Sequence, residues 1–270
     1  MLVLGIESSG KTASTALWED GTVLAEYSVN IGLTHSQTLL PMVAEIFSRT
    51  GKRAEDLALI AVSAGPGSFT GLRIGAATGK GIALAYDIPM AEVSTLEGLA
   101  HNVSECECLV HPIMDARRHQ VYTAAFKRGK LIGTEEAVSI EELIDRLNRE
   151  GGRHLFLGDA VPVYRKYIEE HMTGSYAFAS AVNYLQRASS IAELGAERMA
   201  AGLSKPGMFF ELSYIRKPQA EREREAQGLK QFDMVKDTDT AAQAGVTKDK
   251  LQAQNYVIGS GTGYENEVVD

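Results

Sequence analysis

Residues 5–12 carry the letters of a phosphate-binding motif. They read Gly-Ile-Glu-Ser-Ser-Gly-Lys-Thr and match the P-loop pattern G-x-x-x-x-G-K-[ST]. In a P-loop, Lys11 would reach the outer phosphates and Thr12 would hold magnesium, at the start of a helix that faces the phosphates. Here Thr and Ser alternate after Lys11 and an Asp-Gly turn follows at Asp20, which favours a β-hairpin. A P-loop-type NTPase using residues 5–12 remains an alternative function.

The spacing of the histidines does not favour a metal site. A helical zinc or iron site of the His-x-x-x-His kind needs two imidazoles four residues apart on one face. No two of the six histidines have this spacing, and we expect no metal site. The histidines are His35, His101, His111, His119, His154 and His171.

A glycine repeat marks the predicted helix over residues 69–86. Gly71, Gly75 and Gly79 recur every four residues and therefore share one face. Glycine inside a helix costs about 1 kcal/mol relative to alanine, so the repeat calls for compensation by close approach of another backbone. That backbone belongs either to the chain's own sheet or to a second helix, from this chain or another. Ahead of the repeat, Gly65 and Gly67 allow a tight loop with exposed N–H groups.

The helix predicted over residues 34–49 has an unusually wide apolar face. At 100° per residue its apolar side chains cover about 160°. Leu39, Val43 and Ile46 should face the core, while Leu40 and Phe47 lie on the flank and could remain at the surface. An apolar flank beside a glycine-lined helix is a candidate protein–protein interface. The alternative is an ordinary wide core stripe.

The elements that position these residues occur twice. Each half starts with three strands and continues with alternating helices and strands, and the second set begins 108 positions after the first. This order predicts a duplicated α/β architecture with a mixed sheet in each half and a ligand cleft between the halves. The predicted strands of the two meanders are residues 2–8, 12–18, 22–29, 109–115, 120–126 and 130–133.

Composition excludes several classes. The chain has 270 residues and a formal net charge of −8, which argues against a protein that grips nucleic acid unaided. No apolar run is long enough to span a membrane, and the N-terminus lacks the pattern of a signal peptide. The two cysteines, Cys106 and Cys108, are expected to be reduced thiols. We therefore expect a cytoplasmic protein.

Four blocks in order along the chain resemble the TsaB family of the actin-like ATPase superfamily. They are residues 4–9, residues 63–75, residues 114–118 together with Val121 and Tyr122, and residues 214–218. The resemblance implies two actin-like (ribonuclease H-like) lobes, each a mixed sheet with flanking helices. We assign residues 1–105 to an N-terminal lobe with partner-binding helices, 106–236 to a second lobe with return helices, and 237–270 to a polar extension.

The resemblance also implies the function: a non-catalytic scaffold subunit that pairs with a TsaD-like protein for threonylcarbamoyl transfer to the adenosine beside the anticodon of tRNA. A TsaE-like ATPase would join the complex, a homodimer could form when the partner is absent, and tRNA would be bound only indirectly. No cofactor should bind tightly, although ATP or ADP could occupy the partner interface. An active kinase or metalloenzyme of the same superfamily remains an alternative.

The residues assigned by this resemblance form two sets. The partner interface would comprise His35, Leu39, Leu40, Val43, Phe47, Phe69, Thr70, Gly71, Arg73, Ile74, Gly75 and Gly79. A weak nucleotide-binding set would comprise Glu7, Ser8, Ser9, Gly65 and Gly67. On this assignment, Gly75→Leu or Phe47→Glu should weaken the complex while leaving the fold intact.

Overall fold

A computed structural model describes residues 1–216 of the chain. The first sheet has six strands, three of which form an N-terminal antiparallel meander. In chain order its strands are β1 (Leu2–Glu7), β2 (Ala13–Glu19), β3 (Thr22–Val29), β4 (Leu57–Gly65), β5 (Pro89–Ser94) and β11 (Lys205–Pro206). They lie side by side in the order β11-β5-β4-β1-β2-β3, with β1 parallel to β4 and antiparallel to β2, so the sheet is mixed.

The second sheet repeats this plan with five strands. They are β6 (Leu109–Asp115), β7 (Gln120–Lys127), β8 (Lys130–Ser139), β9 (Arg153–Leu157) and β10 (Ser175–Phe178), in the order β10-β9-β6-β7-β8. β6 is antiparallel to β7 and parallel to β9, as β1 is to β2 and β4. The predicted fold class of two mixed sheets is therefore confirmed.

Helices cover both faces of the first sheet. On one face the core joins α1 (His35–Thr50) and α2 (Phe69–Tyr86) to β1 and β4, through side chains such as Leu39, Ile46 and Ile60. On the other face, α6 (Ala188–Ala200) packs on β1, β4 and β5. The remaining helices are α3 (Thr95–His101), which packs on β6, and α4 (Ile140–Glu150) and α5 (Val161–His171), which cover the second sheet.

The chain after β1 does not open a helix. Residues 8–12 turn directly into β2, whose register with β1 pairs Glu7 with Ser14. A P-loop needs a helix at that point. The hairpin prediction is therefore confirmed, and residues 5–12 lack the setting that a P-loop requires.

Two further expectations differ from the structure. β8 continues to Ser139 instead of ending at Gly133, since its polar residues pair along the edge of the sheet with β7. Cys106 and Cys108 are joined by a disulfide, contrary to the expectation of free thiols. The chain bends between them instead of running extended, which places their Cα atoms 5.4 Å apart, within the usual range for a disulfide.

The second core contains a buried imidazole pair. His111 Nε2 lies 3.0 Å from His154 Nδ1, and the two side chains are almost completely buried beside Phe156. Burial, followed by the neighbouring imidazole, lowers the pKa of His111 to about 3. His111 is therefore neutral at ordinary pH, and both side chains belong to the core.

Two sequence predictions stay predictions. The lobe boundary at 105 is not decided by the sheets, since α6 lies in the second assigned segment and packs on the first sheet. The polar extension at 237–270 lies outside the described residues.

Within the described part of the chain, no helix has the length and apolar content to cross a membrane.

Candidate functional site

The predicted nucleotide-binding residues at the end of β1 are buried and satisfied by the chain itself. The Glu7 carboxylate accepts hydrogen bonds from the Ser9 N–H at 2.6 Å and the Ser9 hydroxyl at 2.5 Å. Ser8 donates its hydroxyl to the carbonyl of Gly71 at 2.9 Å. Burial is the main cause that raises the pKa of Glu7 to about 7, and these hydrogen bonds only partly oppose it.

The glycine loop before α2 is closed by neighbouring backbone. A Cβ on Gly67 would lie 2.4 Å from the Ser9 carbonyl oxygen, and the N–H of Ser68 donates to that same oxygen at 2.6 Å. A Cβ on Gly65, whose φ is +123°, would lie 2.2 Å from the carbonyl oxygen of Ser213. The loop therefore needs glycine because the chain's own backbone approaches it closely, and the Ser9 carbonyl oxygen accepts the N–H of Ser68.

A segment near the end of the described chain covers this loop. We call residues 207–216 the strap. Phe210 is buried in the first core, and the N–H of Ser213 donates to the Ala64 carbonyl at 2.7 Å. Further along, the Arg216 guanidinium donates to the Ala116 carbonyl in the β6–β7 turn at 3.1 Å. The strap thus runs from the loop after β4 to the second sheet.

The opposite side of the cleft is also filled. The buried Asp159 carboxylate accepts the N–H of Asp115 at 3.2 Å, and burial raises its pKa. A Cβ on Gly10 would lie 2.5 Å from the amide nitrogen of Gln186 and 3.0 Å from Asp159 Oδ2. Lys11, the would-be P-loop lysine, is exposed. The geometry gives structural roles to Glu7, Ser8, Ser9, Gly65 and Gly67, and their assignment to a nucleotide site stays a prediction.

The glycine repeat of α2 packs against the chain's own sheet. A Cβ on Gly71 would lie 2.1 Å from the Ser8 carbonyl oxygen, one on Gly75 would lie 2.2 Å from Ser8 Oγ, and one on Gly79 would lie 2.9 Å from Val62. This is the first of the two explanations left open by the spacing. The three glycines are buried, which favours packing on the chain's own sheet, and their assignment to a partner interface stays a prediction.

The remaining predicted interface residues divide by burial. Leu39 and Val43 are core residues, and Phe47 is half-buried against the same core. Leu40, Thr70 and Arg73 are exposed, and His35, Phe69 and Ile74 are half-exposed. We call the face that these six residues form with the exposed Ile31 and Leu33 of the β3–α1 loop the α1–α2 surface.

Apolar side chains stand out on the α1–α2 surface. Ile31 is 73% exposed, Leu40 is 58% exposed and Leu33 is 52% exposed. Removing these apolar side chains from water would be favourable in free energy. Beside them the starts of α1 and α2 enclose a cavity of about 310 Å³ lined by Leu33, Ile74 and neighbours. His35 fixes this edge, since its Nε2 lies 2.9 Å from the carbonyl oxygen of Gly10. Such a patch is typical of a protein-binding site.

The strap extends this surface with an aromatic and cationic cluster. The Tyr214 ring lies 5.4 Å from the Phe69 ring, and the Arg73 guanidinium sits 3.8 Å above the centre of Phe69. Arg73 also donates to the Tyr214 hydroxyl at 3.5 Å. The cluster fixes the start of α2 to the strap and presents flat, amphipathic side chains of a kind enriched at interfaces.

Sequence reasoning missed Ile31, Leu33 and Tyr214 as members of this surface. Ile31 and Leu33 alternate with Asn30 and Gly32 in a loop, and apolar residues in such a setting were the available signal. Nothing in the periodicity places Tyr214 beside Phe69. Among residues 1–216, no group of three or more His, Cys, Asp or Glu side chains is arranged to hold a metal ion.

Two mixed sheets with the same meander, connected in parallel to further strands and covered by helices, define an actin-like α/β protein. A crystal structure from Pseudomonas aeruginosa, described as a protein with similarity to the peptidase YeaZ, matches with a TM-score of 0.68 and 26% identity over 80% of this chain and 99% of that chain. The family model for TsaD, tRNA N6-adenosine threonylcarbamoyltransferase, matches residues 31–224.

Comparison with proteins of similar sequence identifies the family within the class of actin-like α/β proteins. The tRNA threonylcarbamoyladenosine biosynthesis protein TsaB of Bacillus subtilis is 35% identical over 205 residues, which are 74% of this chain and 90% of that protein. The TsaB of Escherichia coli is 36% identical over 165 residues, covering 58% of this chain and 71% of that protein. The chain belongs to the TsaB family.

Proposed function

We propose that this chain is a non-catalytic subunit of the tRNA threonylcarbamoyladenosine pathway that pairs with a TsaD-like transferase through the α1–α2 surface. The observation that carries the proposal is the contrast between two regions. The residues at the end of β1 are buried and hydrogen-bonded to one another, and the strap covers the adjoining glycine loop, while the α1–α2 surface leaves Ile31, Leu33 and Leu40 in solvent.

The physical chemistry of the two regions supports different tasks. A catalytic cleft needs groups free to contact a substrate, and Glu7 and Ser9 already satisfy each other. An exposed apolar patch gains about 25 cal/mol for each Å² that a partner covers. Arg73 and Phe69 at its rim supply the aromatic and guanidinium groups that most often dominate interface energies.

The proposal includes the wider assembly. A TsaE-like ATPase would join the pair, ATP or ADP would bind at the partner interface if at all, and the α1–α2 surface would support a homodimer in the absence of the partner. Because tRNA modification requires access to tRNA, the complex would work in the cytoplasm.

Analytical ultracentrifugation of the chain mixed with its cognate TsaD-like protein tests the proposal. We expect a heterocomplex at micromolar concentration, weakened at least tenfold by Leu40→Glu. Val163, an exposed apolar residue on α5 (55% exposed), provides the matched control, and Val163→Glu should bind like the parent. The proposed pairing would be contradicted if no complex forms. The proposed surface would be contradicted if Leu40→Glu and Val163→Glu weaken the complex equally. Phe47→Glu is a poorer probe, since Phe47 packs on the core.

A nucleotide-hydrolysis assay on the isolated chain separates the alternative functions. The proposal expects no turnover above background, and no change on Lys11→Ala. Hydrolysis that disappears with this substitution would restore the P-loop alternative, despite the hairpin that follows residues 5–12.

A further inference from the structure

The turn between β6 and β7 has an unusual backbone. Three successive non-glycine residues, Arg117, Arg118 and His119, have positive φ values of 64°, 54° and 58°. Each costs roughly 1–2 kcal/mol in this region for an L-residue, where glycine or asparagine would fit with less strain. All three side chains are exposed. An unfavourable backbone conformation therefore accompanies the exposure of two guanidinium groups and an imidazole at a tight turn.

Hydrogen bonds hold the turn in this shape. Asp115 Oδ1 accepts the N–H of Arg117 at 2.9 Å, and Ala116 donates its N–H to the Gln120 carbonyl at 2.9 Å. The His119 carbonyl accepts the N–H of Ile140 at 3.1 Å. Because the backbone of the turn is fixed at both ends, it loses little further entropy when a ligand binds.

The strap adds a third guanidinium to the same place. Arg216 donates to the carbonyl of Ala116, one residue before Arg117. Arg117 is partly neutralised, since its Nη1 lies 3.5 Å from Asp115 Oδ2. Arg118 enters none of the ion pairs formed among residues 1–216, and its charge is therefore available to a ligand. In a chain with a net charge of −8, this is a local concentration of positive charge.

The shape of the turn favours an extended polyanion. Small anions are usually held in concave sites that surround them. Arg117 and Arg118 instead lie on an exposed turn, and the Arg117 side chain is 82% exposed. Arginine guanidinium groups spaced along a surface match the phosphates of a nucleic acid backbone, which supply affinity and orientation without reading sequence.

We infer that the β6–β7 turn, with Arg117, Arg118 and Arg216, is a contact site for the phosphodiester backbone of tRNA. The inference rests on the proposed function and deepens it, because it gives this acidic subunit a direct part in holding the substrate. It departs from the expectation that tRNA is bound only indirectly. Arg118 carries most of the contact, since Asp115 already pairs with Arg117.

Fluorescence anisotropy with a tRNA transcript tests the inference, on the chain alone and on its mixture with the cognate TsaD-like protein, at several salt concentrations. The Arg117→Ala/Arg118→Ala double variant should bind more weakly and flatten the slope of log Kobs against log salt by about 1–2, since Arg117 is already partly neutralised by Asp115. The matched control, Arg149→Ala/Arg165→Ala, removes two exposed arginines from α4 and α5 and should keep the parental slope.

The outcomes separate the two proposals. If the parent forms no complex in the ultracentrifuge, the proposed function fails, and the measurement on the chain alone still decides the inference. If the double variant keeps the parental affinity and salt slope, the inference is wrong. A free nucleotide offers the same phosphate chemistry, so ATP is added as a competitor. Displacement of the tRNA from the turn by millimolar ATP, lost in the double variant, would show a small-anion site and overturn the inference.

Discussion

The buried carboxylate of Glu7 should make the stability of this protein depend on pH in a distinctive way. Its pKa in the folded state is about 7, against 4.5 for a solvated glutamate, mainly because the side chain is buried. The folded protein therefore holds a proton on Glu7 between pH 4.5 and 7 that the unfolded chain has released. The free energy of unfolding contributed by this group is largest below pH 4.5 and falls as pH rises through 7.

The size of the effect follows from the same values. One pH unit is worth about 1.4 kcal/mol for one proton, so the loss between pH 4.5 and pH 7 amounts to about 3 kcal/mol. His111 acts in the opposite direction. Its pKa falls to about 3 in the fold, so protonation of the unfolded chain lowers stability as pH decreases from 6.5 to 3. Between pH 4.5 and 6.5 the two slopes oppose each other, and the parent should show a plateau from these groups.

Glu7→Gln isolates the carboxylate, because the amide oxygen can still accept from Ser9 and the side chain no longer titrates. Urea unfolding of parent and variant, followed by far-UV circular dichroism from pH 4.5 to 8, gives the difference in unfolding free energy. That difference should shift in favour of the variant by about 3 kcal/mol across the range. Glu170→Gln, on the exposed face of α5, reports the effect of losing a solvated carboxylate and is subtracted. A difference that stays constant within about 0.5 kcal/mol would refute the reasoning.

Three further predictions concern stability. Gly75→Ala should lower the free energy of unfolding by about 1–3 kcal/mol because its Cβ meets Ser8 Oγ, whereas Gly81→Ala on the same helix, with open space around it, should raise it by about 0.5–1 kcal/mol. Urea midpoints check both, and equal effects would contradict the packing described here. Phe210→Ala should cost about 3–5 kcal/mol, and the same change at the 59% exposed neighbour Phe209 less than about 0.5 kcal/mol. His111→Asn should abolish the rise in stability between pH 3 and 4.5, a range in which Glu7 does not oppose it, and persistence of that rise would point to other groups.

Local patterns were sufficient to predict most of the elements. The predicted helix over residues 69–86 has the observed bounds of α2, and the predicted strands over residues 22–29 and 109–115 match β3 and β6. The alternation of Thr and Ser after Lys11 correctly favoured a hairpin over a P-loop. In each case the decisive interactions lie within a few residues along the chain.

Contacts between distant segments were beyond these patterns. The four-residue repeat of Gly71 and Gly75 shows that a backbone comes close, and the partner is identified only when β1 is placed beneath α2. Phe210 and Tyr214 belong to a segment without periodicity, and their roles depend on its path across the first sheet. The predicted interface on α1 and α2 therefore stays a prediction, and the structure shows only that the glycine face of α2 is turned to the chain's own sheet.

The position of α6 has a consequence for synthesis on the ribosome. This helix covers one face of the first sheet so closely that a Cβ on Gly5 would lie 2.2 Å from the Ala188 carbonyl oxygen. Residues 2–94 emerge long before α6, whereas the strands of the second sheet are contiguous between Leu109 and Phe178. The side chains that α6 covers therefore stay exposed until the second sheet and α6 have been translated. They include Val3, Leu59 and Val93. The first sheet is therefore translated first, but its packing is completed last, when α6 has been synthesised. Until then the apolar face of its strands stays exposed in the nascent chain.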